Sequence, residues 1–266
     1  MFFKILNYMV LKVSKILKIG SLSVNGRNMF GRICVHHRGG GFSYKYRIID
    51  YHRRLNQYGA VYRIVYDPNR TAFLGFVLYE NGLFSYIIVS DKVVEGSSIF
   101  SGDSEHLFKK SDFNLFLGSS VPLTKLNLFQ IVNNVELRPF FGSILARAAG
   151  VGLIIVNILD DKVTLKSKSG WLLTVSSNCM ASLGFVSNLL HSSKRIKKAG
   201  IVRGWGWRPV VRGVAMNPCD HPHGGGEGKK GSPRNPKTPW GKLTRHTPTK
   251  NKKINRLNRR LFKKIR

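Results

Sequence analysis

The dipeptide Asn81-Gly82 stands between two short aromatic and β-branched runs, "AFLGFVLYE" and "LFSYIIVS". Both of its residues tolerate positive φ, which makes it the strongest short-range hairpin signal in the chain. The runs "YRIIDYHR" and "AVYRIVYDP" share the same character, so residues 46–100 read as β-structure. A further turn is expected at "YDPNR", where Asp67 and Asn69 can bond to their own backbone and Pro68 fixes φ. Short strands at this spacing, with no long helix between them, predict a small barrel.

A second β-rich unit follows. "FQIVNNVELRP" and "VGLIIVNILDDKVTLKSKSGWLLTVSS" hold three or four strands, with turns at Asp160-Asp161 and Ser169-Gly170. "GSILARAAG", Gly142 to Gly150, is small enough to form a tight loop against another backbone. Residues 186–199 are expected to form a short helix, with lysines in its last turn and Gly200 as its C-cap. The boundary between the barrels falls near residue 120. The expected organisation is a basic arm (1–44), a first barrel (45–119), a second barrel with its short helix (120–200) and a second basic arm (201–266).

Charge decides the partner. The 266 residues carry a formal net charge of +31. Residues 1–49 hold nine basic residues and no acid, and residues 200–266 hold 18 basic and two acidic. The middle is close to an ordinary globular composition. Basic arms on a globular body point to a polyanion, with nucleic acid ahead of a membrane surface. Cys34, Cys179 and Cys219 form no CxxC pair and no disulfide framework, as in a reducing compartment. No apolar run approaches the roughly 20 residues that span a bilayer. The first 19 residues are Lys-rich and acid-free, and suit an amphipathic helix, an import signal or a basic tail. Abundant Phe, Ile, Asn, Lys and Tyr are what AT-rich codons give, a hint of an organelle genome.

The stretch "AMNPCDHPHGGGEGKK", Ala215 to Lys230, supports two chemistries. Asp220, His221, His223 and Glu227 are metal-ligand types, and a free metal-dependent hydrolase acting on RNA through Asp220, His221 and His223 is the rival reading. Histidines two apart on an extended loop point to opposite sides, and no Cys pair completes a zinc site. The favoured reading is RNA. Gly224, Gly225 and Gly226 let backbone N–H groups approach phosphate, and Lys229, Lys230, Arg234 and Lys237 neutralise it. "RGGGFSYKYR" repeats the pattern at the other end, with Arg38, Gly39, Gly40 and Gly41 followed by aromatics that can stack on bases.

These residues carry a resemblance. "RGVAMNP", "DHPHGGGEG" and "TPWGK" resemble the signature of the universal large-subunit ribosomal protein two family. In the family's order, "NGRNMFGRI" and "RGGG…YRIID" are similar to its N-terminal arm, "YDPNR…VLY…G…YI" to its first barrel, and "ARAAG…VTLKSKSG" to its second. The similarity runs from about residue 22 to 245. It implies a mainly β fold: an OB-fold barrel followed by an SH3-like barrel, with extended basic N- and C-terminal arms threaded into large-subunit rRNA. It also implies no enzymatic activity of the chain itself, a place near the peptidyl transferase centre with His221 close to it, neighbouring large-subunit proteins, and contact with the small subunit at an intersubunit bridge. No cofactor is implied beyond Mg2+ associated with the rRNA.

The RNA-binding residues expected on this basis are Arg27, Arg32, Arg38, Gly39, Gly40, Gly41, Tyr46 and Arg47 near the N-terminus, and Arg70 and Arg147 on the barrels. In the C-terminal arm they are Arg203, Arg208, Arg212, Asn217, His221, His223, Gly224, Gly225, Gly226, Lys229, Lys230, Arg234, Lys237, Trp240 and Lys242. The chain departs from the family at Cys219, where an aliphatic residue is usual, at "VRGWGWRP", where Trp and Arg are permuted, and in an unusually apolar connector, "LFKKSDFNLFLGSSVPLTKLNLFQ". With the AT-like composition, this drift points to a mitochondrial ribosome, ahead of a plastid or bacterial one.

Overall fold

The computed structural model describes residues 12–20, 24–102, 117–226, 235–245 and 247, and the backbone of 262–264. Most of the apolar N-terminal run, connector residues 103–116, and Glu227, Lys229, Lys230 and Arg234 lie outside the described residues. The chain divides into two compact units, one of residues 1–21, 44–195 and 258–266, the other of residues 22–43 and 196–257.

The first unit is mainly β and holds the OB-fold barrel followed by the SH3-like barrel. Its strands begin with β1 (Lys18–Gly20), β2 (Lys45–Arg47), β3 (Gln57–Val65), β4 (Leu74–Tyr79), β5 (Phe84–Ile88) and β6 (Ser98–Ser101). After the connector come β7 (Ser120–Pro122), β8 (Ile131–Asn133), β9 (Val135–Glu136), β10 (Ser143–Leu145), β11 (Leu153–Ile158), β12 (Lys162–Ser167), β13 (Trp171–Ser176) and β14 (Met180–Leu183). The C-terminal β15 (Phe262–Lys264) returns to pair antiparallel with β13. One continuous ladder runs β15-β13-β12-β11-β8-β14-β7-β6-β3-β4-β5, joined through the parallel pair Ser101 and Ser120 between β6 and β7.

Side-chain patterning explains the cores. Strands β11 to β13 alternate, so Leu153, Ile155, Val163, Leu165, Leu173 and Val175 turn inward to one cluster while their neighbours face out. β4 is apolar throughout because it is buried on both faces: Leu74 and Phe76 join one cluster, Val77 and Tyr79 another. Residues 12–16 are helical, and Val13 and Leu17 pack against the cluster of Ile49, Leu74 and Phe76. That part of the N-terminal run is therefore a piece of the barrel.

The turns at 159–161 and 168–170 fall where the sequence puts them. Three local expectations are corrected. At the first hairpin only Gly82 takes positive φ, 78°; the Asn81 side chain instead accepts the Leu83 N–H at 3.0 Å. Asp67 does not bond to its own backbone. It is fully buried, and its two oxygens take Arg47 and Arg70, each at 2.8 Å. The helix expected over 186–199 is absent, and Gly200 caps nothing. Asn188 sits at φ 66°, where its side chain donates to the Thr71 carbonyl at 2.7 Å, and only a 3-10 turn follows at Leu189–Ser193. The α-helix lies later, at Ala199–Gly204, with Gly200 inside it. A tertiary hydrogen bond has overridden local helix propensity.

Arg53 is the other feature the sequence did not reveal. It is 4% exposed and lies at φ 49°. Its guanidinium donates to Ser101 Oγ twice, Ser182 Oγ, and the Gly118 and Phe100 carbonyls, at 2.7–3.2 Å. All five of its donors are thus used without a carboxylate partner. Burial lowers its pKa, and Tyr79 and Asp50 oppose that shift.

Candidate nucleic-acid interface

The second unit brings the two arms together. Residues 22–43 and 196–257 hold 18 basic and two acidic residues. Residues 38–42 run beside the end of the α-helix. Gly39 N–H donates to the Gly206 carbonyl and Phe42 N–H to the Gly204 carbonyl, both at 2.9 Å. A Cβ on Gly41 would lie 2.8 Å from the Gly206 Cα and nitrogen, so this approach requires glycine. Arg203 stitches the turn by donating to the Gly39 carbonyl at 3.1 Å and the Trp207 carbonyl at 2.8 Å. Arg38 lies 3.4 Å over the Trp207 ring. His37 Nδ1 is 2.7 Å from the Pro209 carbonyl, and Arg208 N–H donates to the His37 carbonyl at 3.0 Å. His36 meets Trp240 at 5.6 Å between ring centroids, and Trp240 remains exposed.

The loop at 213–226 is built around two histidines. The Asn217 carbonyl accepts N–H bonds from Asp220 at 3.0 Å and His221 at 3.2 Å, which turns the chain back on itself. His221 is buried, and its ring occupies the space a Cβ would need at Gly213. Its Nδ1 accepts the His223 N–H at 3.0 Å, and His223 Nε2 accepts the Lys237 N–H at 2.8 Å. The expectation that the rings point to opposite sides is corrected: their centroids are 4.6 Å apart, because the segment is a closed turn and not an extended strand. One nitrogen of each ring is held by a backbone donor. Among the described residues no three His, Cys, Asp or Glu gather into a metal-binding group. The donor set suits a locked loop, and gives the hydrolase reading no support.

The glycine triplet divides by role. A Cβ on Gly224 would overlap the Asn217 carbonyl, and one on Gly225 (φ 78°) would lie 2.8 Å from Pro218 Cγ. Gly226 (φ 99°) meets nothing within 4 Å among the described residues. Two of the glycines therefore serve close packing of the chain on itself, and the third serves a positive φ. Arg212 and Lys242 are exposed, as is the Asn217 side of the turn. Lys242 N–H donates to Thr238 Oγ1 at 3.1 Å, closing the turn that presents Trp240.

In the first unit, Arg47 and Arg70 hold Asp67, so their guanidinium groups have an internal duty as well. Arg70 also lies 5.6 Å from the Tyr46 ring, and Arg147 5.0 Å from the Tyr51 ring. Burial, then Arg47 and Lys45, hold the Lys18 ammonium below its usual range. That crowding of like charge is what a polyanion relieves. Buried Glu136 resembles a poised acid, but its oxygens accept Arg54, Gly142 N–H and Met180 N–H at 2.9–3.1 Å. Sequence reasoning missed Gly213 and His36, which carry no signal until the partners that need them are in place, and it expected Pro218 to hold an extended arm where the chain instead turns back on itself.

Comparison with known proteins agrees with this geometry. Residues 14–101 match the model described as "Ribosomal Proteins L2, RNA binding N-terminal domain", and residues 117–241 that of "Ribosomal Proteins L2, C-terminal domain". The chain is similar to the large ribosomal subunit protein uL2 of Wolbachia pipientis subsp. Culex pipiens, 42% identical over 256 residues, covering 96% of this chain and 90% of the relative. It is 43% identical to that of Orientia tsutsugamushi over 241 residues, covering 90% and 85%. It is also 43% identical to that of Cereibacter sphaeroides over 240 residues, covering 90% and 83%.

Proposed function

The chain belongs to the uL2 family of large ribosomal subunit proteins, and from that premise we propose how it serves the particle. It is a structural, non-enzymatic constituent that binds rRNA and supports translation. The observation that carries this is the second unit: its sequence holds 18 basic residues against two acidic, and its described glycine-rich turns carry histidines locked by backbone donors. Such a surface neutralises phosphate and has no general base free at His221 Nδ1.

The finer assignments belong to the same reading. The 213–226 loop lies near the peptidyl transferase centre, where locked His221 supports an RNA catalyst without transferring protons. The basic turns meet phosphate through Arg27, Arg32, Arg38, Arg203, Arg208, Arg212, Lys237 and Lys242, and the protein contributes to an intersubunit bridge. The boundaries lie near 44, 120 and 200, with residues 12–20 and 262–264 of the arms joined to the barrel unit. The ribosome is mitochondrial, a reading supported by the AT-like composition and by the drift at Cys219 and at residues 205–208.

The test is sedimentation of fractionated lysate after a high-salt wash. Co-migration with intact organelle large subunits supports the proposal. Release of the chain as free protein would refute its structural role, and co-migration with bacterial-type subunits alone would replace the mitochondrial assignment. Binding to free rRNA should weaken with salt, with a slope of about −0.7 to −0.9 per phosphate neutralised.

A further inference from the structure

The turn at residues 27–33 ends in two large apolar side chains that the described residues leave uncovered. Met29 is 91% exposed and Phe30 is 79% exposed. They do not sit on a loose loop. Arg27 and Ile33 form an antiparallel bridge, Asn28 N–H donates to the Arg32 carbonyl at 2.9 Å, and Gly31 N–H donates to the Asn28 carbonyl at 3.0 Å. The Asn28 side chain accepts both the Phe30 N–H at 3.1 Å and the Arg32 N–H at 2.9 Å. At the base, the Gly26 carbonyl accepts N–H bonds from Cys34 and Val35 at 2.8 and 3.0 Å. Six hydrogen bonds and a bridge thus hold a four-residue tip whose apolar side chains stand in solvent.

A tip that is ordered before binding loses little freedom on binding. Its surroundings select the occupant. Arg27 and Arg32 flank it and are exposed, and the first acid in the chain is Asp50. Val24, Ile33 and Val35 near the base are exposed as well, but every charge beside the tip is positive, which a polyanion matches. An exposed ring with one arginine three residues before it and another two residues after it suits a π-face bracketed by negative charge, which is an unpaired nucleotide.

We propose that Phe30, with Met29 beside it, is a stacking finger that receives one unpaired rRNA base while Arg27 and Arg32 hold the phosphates on either side. This rests on the reading of the chain as an rRNA-binding protein and adds to it a specific contact that neither the glycine turns nor the charge count provides.

The test uses the full chain assembled into large subunits, with Phe30 replaced by the photoreactive p-benzoylphenylalanine. Irradiation should crosslink position 30 to a single rRNA nucleotide. That nucleotide should become reactive to base-modifying reagents in Phe30→Ala particles and stay protected in Phe30→Trp particles. Binding of Phe30→Ala to rRNA should weaken about 10- to 100-fold, the usual effect of losing one stacked base. Crosslinking to a ribosomal protein would overturn the proposal and make the tip a protein-docking element. Unchanged base reactivity in Phe30→Ala particles would overturn it too. Both outcomes leave the rRNA-binding role intact. If the unmodified chain were absent from salt-washed subunits, that broader role would fail, and this contact with it.

Discussion

Replacing Gly224 and Gly226 separately by alanine tests what the triplet does. A Cβ on Gly224 would lie 2.7 Å from the Met216 carbonyl oxygen and closer still to that of Asn217. Ordinary carbon–oxygen contacts begin near ~3.3 Å, so the backbone would have to give way by a large fraction of an ångström. The groups in its path are structural. The Asn217 carbonyl accepts from Asp220 and His221, and Gly224 N–H donates to the His221 carbonyl at 2.8 Å. Three such bonds at about 1 kcal/mol net each come to about 3 kcal/mol, or roughly a 150-fold shift towards the opened loop. Gly226→Ala meets no described atom within 4 Å and bears the cost of its φ of 99°, about 1–2 kcal/mol, without displacing those bonds. Amide hydrogen exchange on the free protein reads the difference. Gly224→Ala should speed exchange at Asp220 and His221 by about 100-fold, and Gly226→Ala should leave both amides unchanged. Equal protection of those amides in Gly224→Ala would refute the packing argument, and would return the triplet to a role in meeting RNA alone.

Arg53→Ala removes five buried hydrogen bonds, three to the hydroxyls of Ser101 and Ser182 and two to the Gly118 and Phe100 carbonyls, with Tyr79 still beside Ser101; at about 1 kcal/mol or more per bond lost, urea unfolding should show a loss above ~3 kcal/mol, and a loss below ~1 kcal/mol would contradict the assignment. Burial first, and then Glu136, push the Cys179 thiol up to about 11. An unfolded thiol ionises near ~8.5. The contribution is therefore fully present below that value and lost as pH rises towards about 11, so the stability difference between wild type and Cys179→Ala should change across that interval and stay constant below it. A thiol reagent at neutral pH should label exposed Cys34 and Cys219 and spare buried Cys179 until the protein unfolds. Gly225→Val should reduce subunit incorporation, because the added bulk meets Pro218 at a φ of 78°; normal incorporation would show that the turn tolerates a side chain there.

The sequence by itself determined what short-range rules govern. Alternation in β11 to β13 and the Asn-Gly, Asp-Asp and Ser-Gly turns were legible because strand period and φ preference are properties of a few neighbouring residues. The charge of the arms was legible because it needs only a count, and the "DHPHGGGEG" signature because it is contiguous. Tertiary structure decided the rest. No local rule foresees that Asn188 would give up a helix to reach Thr71, or that Asp67 would leave its own turn for Arg47 and Arg70. No local rule brings Gly41 against Gly206, or sets the His221 ring on Gly213 and turns His223 towards it. Each of these depends on where the chain path places a distant or folded-back partner. A glycine, a buried cation or a histidine acquires its role from that partner, and a sequence window holds only the residue.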